Sequence, residues 1–94
     1  MSALWQAIHS ALESERYVIG MHAAEKLMER RIAAWQVVAG TLAGRVLVTR
    51  NNAIPNPKIE CELQLADGTS AKAVWSWNRT HQLARLVTIH FFDR

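Results

Sequence analysis

His22, Lys26 and Arg30 stand four residues apart, so on a helix they rise along one face. Those residue types at that spacing suit phosphodiester chemistry. A histidine in the first turn of a helix feels the positive end of the macrodipole, which favours the neutral imidazole. Near pH 7 such an imidazole can take the proton of a ribose 2′-hydroxyl. Lys26 and Arg30 would then hold the scissile phosphate and offset the charge developing on it. Coulomb terms do not select the spacing, because two cations at i, i+4 repel by roughly 0.2–0.5 kcal/mol. An architectural account stands beside the catalytic one. In it His22 locks the helix start by bonding a strand, while Arg30 meets the helix C-terminus and pairs with an acid such as Glu25 or Glu29.

Other polar positions extend the candidate set. His90 lies late in the last strand, on a face with Leu86, Thr88 and Phe92, and is read either as a buried, satisfied histidine or as a fourth catalytic group. Arg79 and His81 fall in a polar hairpin loop, and with Arg85 they are candidate RNA contacts. Trp75 and Trp77 share a strand face, either as core beneath helices or as a stacking platform for a base. No metal site and no cofactor is expected. The four histidines do not stand at ligand spacing, and the sequence has neither a glycine-rich phosphate loop nor a nucleophile elbow.

These groups must be positioned by a small chain. Its 94 residues make one domain, 1–94, that buries roughly 60–65% of its unfolded surface. Half the residues are hydrophobic and a fifth are charged, which excludes a disordered chain. The net charge of +3, from eight arginines and three lysines against eight acids, permits nucleic-acid binding without requiring it. Cys61 is the single cysteine, so no internal disulfide forms, and its strand setting makes it a small buried hydrophobe. With no apolar run near the ~20 residues of a membrane span, the expected location is the cytoplasm.

The elements follow from spacing. Ser2 caps a helix to about residue 15, with Trp5, Ile8 and Leu12 inward. Tyr17-Val18-Ile19 is a short strand closed by Gly20. A helix over about 21–30 carries Ala24, Leu27 and Met28 on its apolar face, and a third over about 34–42 turns Trp35, Val38 and Leu42 inward. On that basis Trp35→Ala should cost about 3–5 kcal/mol. Strands follow at 45–49, in a hairpin over 59–77 and at 83–92. A three-residue turn with Gly68 left-handed pairs Leu63 with Ala71, Cys61 with Ala73, Ile59 with Trp75 and Glu62 with Lys72. A two-residue turn would set Lys72 against Leu63. The last strand is apolar on both faces, with Val87, Ile89 and Phe91 on one and Leu86 and Phe92 on the other, the mark of a central strand. The order predicts an α+β fold in which N-terminal helices pack on one face of a four- to five-stranded, mainly antiparallel sheet.

The run His22-Ala23-Ala24-Glu25-Lys26-Leu27-Met28-Glu29-Arg30-Arg31-Ile32 resembles a family signature, His-Ala-x-x-Arg-x-x-x-Arg-Gly-Ile. It belongs to small bacterial proteins grouped as domain of unknown function 4258, which are similar to the RelE/ParE/BrnT toxins. The likeness runs from about Tyr17 to Phe92, leaving 1–15 as an N-terminal helical extension. His22, Ala23, Glu29, Arg30 and Ile32 match, while Lys26 replaces an arginine and loses its planar fork. Arg31 replaces a glycine, so the helix end must be stopped differently. The resemblance implies a RelE-like fold and a toxin-like, metal-independent endoribonuclease with RNA as substrate, a cognate antitoxin as partner, and a monomer or homodimer. It also points to His90, Thr88 and Arg85, because ribonucleases of this fold place acid/base and phosphate groups near their last strands. The alternative is a non-catalytic binding module of the same fold for nucleic acid or a protein, since Glu25 and Glu29 would repel phosphates.

Overall fold

In a computed structural model that describes residues 2–92, three helices pack on a five-stranded mixed sheet. The Ser2 hydroxyl accepts the Trp5 N–H at 3.0 Å and starts α1 (Ala3–Glu13), whose Leu4, Trp5, Ile8, Ala11 and Leu12 form a buried stripe. β1 (Tyr17–Ile19) leads into α2 (Met21–Arg30), then α3 (Ala34–Ala43). The remaining strands are β2 (Arg45–Arg50), β3 (Lys58–Gln64), β4 (Ser70–Asn78) and β5 (Leu83–Phe91). Their order across the sheet is β1-β5-β4-β3-β2, with β1 parallel to β5 and every other pair antiparallel. The last strand is therefore interior. No helix among the described residues is long and apolar enough to cross a membrane.

The hairpin register is the one that separates apolar from charged side chains. Leu63 pairs with Ala71, Cys61 with Ala73, Ile59 with Trp75 and Glu62 with Lys72, and Gly68 takes φ 87°. Ile59, Cys61, Leu63, Ala71, Ala73, Trp75 and Trp77 are all buried against the helices. Among the described residues no helix packs on the opposite face of the sheet.

Three expectations change. Trp35 is 65% exposed and Met28 77% exposed, so neither belongs to the core. α3 instead turns Val37, Val38 and Thr41 to the sheet. Two contacts set that rotation. Trp75 Nε1 donates to Thr41 Oγ1 at 3.0 Å in a fully buried bond. Gly40 sits so close to Leu63 that a β-carbon there would lie 2.6 Å from its Cδ1. Trp35, more than half a turn before Val37, must then point outward. Arg31, in turn, stops α2 in the way a glycine would: it takes the left-handed conformation at φ 56°, while the Ile32 N–H reaches the Leu27 carbonyl at 2.9 Å.

The third change is in β5. Trp75 faces Leu86 and Val74 faces Thr88, so Val87 is an extra residue in the strand. This bulge sends both Leu86 and Ile89 into the core. It places His90 with Thr88 and Arg85 on the helix-free face, where His90 is exposed rather than buried.

Removing the indole that ties α3 to the sheet should be costly. Trp75→Ala is expected to lose about 3–5 kcal/mol in a urea titration, and Trp35→Ala less than about 1 kcal/mol. Equal losses at the two positions would contradict the helix rotation described above.

Candidate functional site

The charged stripe of α2 is largely occupied with holding the helix in place. β1 ends where the Gly20 N–H reaches the Leu86 carbonyl at 2.8 Å, and α2 continues along the edge of β5 from there. Lys26 Nζ donates to the Ile89 carbonyl at 3.1 Å, and the Arg30 guanidinium lies 4.2 Å above the Phe91 ring. His22, Glu25 and Glu29 are exposed. The architectural reading gave the strand bond to His22 and an acid to Arg30; in the structure it is Lys26 that bonds the strand carbonyl, and Arg30 lies over an aromatic face. His22 remains a solvent-facing histidine at the start of the helix.

The helix-free face is where polar groups converge. Strand register arranges it in three rows. One reads Arg50, Lys58, Ser76, Arg85 and Val18 across all five strands. The middle row reads Val48, Glu60, Val74 and Thr88, and the third Arg45, Glu62, Lys72 and His90. Arg85 and His90 therefore share this surface. Arg79 and His81 lie in the β4–β5 turn, two pairs beyond Ser76 and Arg85, at the same end of the sheet as the cationic row. That turn is held by the Asn78 side chain, which accepts the His81 N–H at 3.0 Å, and by Gln82 Nε2, which donates to the Arg79 carbonyl at 2.8 Å.

Charge on this face is unevenly compensated. Glu60 accepts from Arg50 Nε at 2.9 Å and faces Lys72 Nζ at 3.2 Å, while Glu62 accepts from Arg45 Nε at 3.0 Å. The hydrogen bond from Arg50, then that from Lys72, holds the Glu60 carboxyl below its ordinary 4.5. Five cations against two carboxylates leave the face at +3, which equals the net charge of the chain. Elsewhere among the described residues Arg16, Lys26, Arg30, Arg31 and Arg79 are matched by Glu13, Glu15, Glu25, Glu29 and Asp67. Thr88 Oγ1, between the two basic rows, is buried with no hydrogen-bond partner among the described residues.

Lys58 and Ser76 were not singled out from the sequence, and Lys72 only as the hairpin partner of Glu62. The signal was present, because the hairpin register carried one pair past Ile59 and Trp75 sets Lys58 beside Ser76. What was missing was the third strand. Cys61, fully buried, has its thiol pushed up to about 11 by burial and by the Glu62 charge, so it is no nucleophile. Among the described residues no group of three or more His, Cys, Asp or Glu side chains is placed to hold a metal ion. No protein-family model matches the chain, no curated protein matches its sequence and no solved structure matches its fold.

The lowered Glu60 carboxyl makes the sheet sensitive to acid. Its contribution to stability is complete above about pH 4.5 and is lost as pH falls through the lowered value. Wild type should therefore exceed Glu60→Gln in urea titrations at neutral pH, and the gap should close in acid. A gap that stays constant throughout the acid range would show that the Arg50 and Lys72 contacts do not stabilise the fold.

Proposed function

We propose that the chain binds RNA through the helix-free face of its sheet. The observation that supports this best is that this face carries five cations against two carboxylates, while the other charged side chains among the described residues balance five to five. A flat basic surface meets a polyanion through its phosphates, which supply most of the sequence-independent affinity. Trp75 and Trp77 lie buried on the other side of the sheet, so they offer no stacking platform. Recognition is then led by backbone phosphates rather than bases. That the polyanion is RNA rather than DNA rests on the RelE-like resemblance of the α2 signature.

Catalysis is the second reading, and one observation favours it. His90 is exposed on this face, opposite Lys72 in register and on the same strand side as Arg85. A toxin-like, metal-independent endoribonuclease would use His90 to take the 2′-hydroxyl proton and the nearby cations to stabilise the phosphorane-like charge. Lys26 and Arg30, committed to β5, do not enter either reading.

Fluorescence anisotropy with a single-stranded RNA oligonucleotide over a salt series tests the proposal. Affinity should fall with salt by a log–log slope of about −0.7 for each phosphate contacted. Arg85→Glu should weaken binding about tenfold or more and flatten that slope by about one contact, whereas Lys26→Gln should leave both unchanged. Absence of binding at low salt, or equal loss from both variants, would refute the proposal. RNA cleavage in EDTA that disappears in His90→Ala would select the enzymatic reading.

A further inference from the structure

We propose that Lys58, Ser76 and Arg85, with Asn56 from the β2–β3 loop, form a pocket for a single phosphoryl group. The inference rests on the RNA-binding reading and names the contact that would fix the strand on the face. A cavity of about 210 Å³ opens there, lined by Pro55, Asn56, Lys58, Ser76, Arg85 and Val87. At roughly 30 Å³ per water it has room for a hydrated phosphate.

Three independent features make it an anion site. The first is register: Lys58 stands beside Ser76, and Ser76 beside Arg85, on three successive strands. Strands lie about 4.8 Å apart, so the two cations flank the serine across roughly 10 Å, with the short side chain as the floor. The second is pairing. Of the five cations on the face, Arg45, Arg50 and Lys72 have carboxylate partners. Lys58 and Arg85 have none among the described residues, and these two line the cavity. The third is the wall. Ser76 is only 8% exposed, its hydroxyl has no partner among the described residues, and the Pro57 carbonyl accepts the Trp77 N–H at 2.9 Å, which holds the loop against β4.

The donors suit a phosphate. An ammonium, a guanidinium, a hydroxyl and an amide can each meet one of its oxygens, and the charged pair supplies the strong bonds. Like charges across neighbouring strands are otherwise unfavourable, and Arg50, Lys58 and Arg85 fall in one row with no acid among them. Gly20 serves the site from outside. A β-carbon there would lie 3.1 Å from Arg85 Nε and 2.7 Å from the Leu86 carbonyl, so the glycine leaves space for the guanidinium. Two sources share the phosphoryl chemistry: an internal phosphodiester, or the terminal 5′-phosphate of an RNA end.

Titration of inorganic phosphate into the ¹⁵N-labelled full chain, against chloride at equal ionic strength, tests the pocket. Saturable shifts are expected at the amides of Asn56, Ser76 and Val87 and at Arg85 Nε. Lys58→Gln and Ser76→Ala should each weaken them several-fold while the remaining spectrum stays that of the folded protein. Oligonucleotides of one sequence with a 5′-hydroxyl or a 5′-phosphate separate the sources. Equal affinities assign an internal phosphodiester, and tighter binding of the phosphorylated form assigns the terminus. RNA binding that persists unchanged in Lys58→Gln, with no saturable phosphate shifts, overturns the pocket and leaves the broader reading intact. Phosphate saturation without any RNA binding supports the pocket and overturns the broader reading.

Discussion

Val87 is one residue more than a regular ladder with β4 can hold, and both faces of the sheet depend on where it is placed. Strict alternation from Leu86 would carry Thr88 and His90 into the core and turn Ile89 outward. Burial of the His90 imidazole without a partner would cost several kcal/mol, and a large aliphatic would be lost from the core. The bulge instead sends Leu86 and Ile89 inward together and keeps Arg85, Thr88 and His90 on the other side. One backbone irregularity therefore fills the core and assembles the polar face. Bulges are frequent beside functional sites for this reason: they re-aim side chains without changing the fold.

The helices divide the labour differently. α1 and α3 bury their apolar stripes over the centre of the sheet, and the Trp75–Thr41 bond orients α3. α2 buries only Ala23 and Leu27, and along β5 it presents cations. β1 covers only the first part of β5, so carbonyls beyond Leu86 would be left on an open edge. Lys26 satisfies one of them, and Arg30 covers the adjoining Phe91. Charge on an edge also discourages pairing with another chain. In the folded protein Lys26 and Arg30 lie along a seam between helix and sheet.

The parts of the fold legible in the sequence were those set by local chemistry. Ser2 announces its helix, Gly68 its turn, and the segregation of Ile59, Cys61 and Leu63 from Glu60 and Glu62 settles the hairpin register. Properties settled by tertiary contact were not legible. Trp35 and Val37 are both apolar, and only the approach of Gly40 to Leu63 and the bond at Thr41 decide which faces inward. His90 was assigned to the wrong surroundings because a period of two cannot reveal an inserted residue. Arg85 was visible as a candidate, but its row with Lys58 and Ser76 needs β4 and β5 paired as well as β3 and β4.

The central claim is that the helix-free sheet face, and not the α2 stripe, meets RNA. Ultraviolet crosslinking of the wild-type chain to a uridine-rich oligonucleotide, followed by peptide mapping, tests it most directly. Crosslinks should fall on segments carrying Asn56, Lys58, Ser76 and Arg85 to His90, and spare 21–31. Crosslinks concentrated on His22, Lys26 and Arg30 would contradict the account.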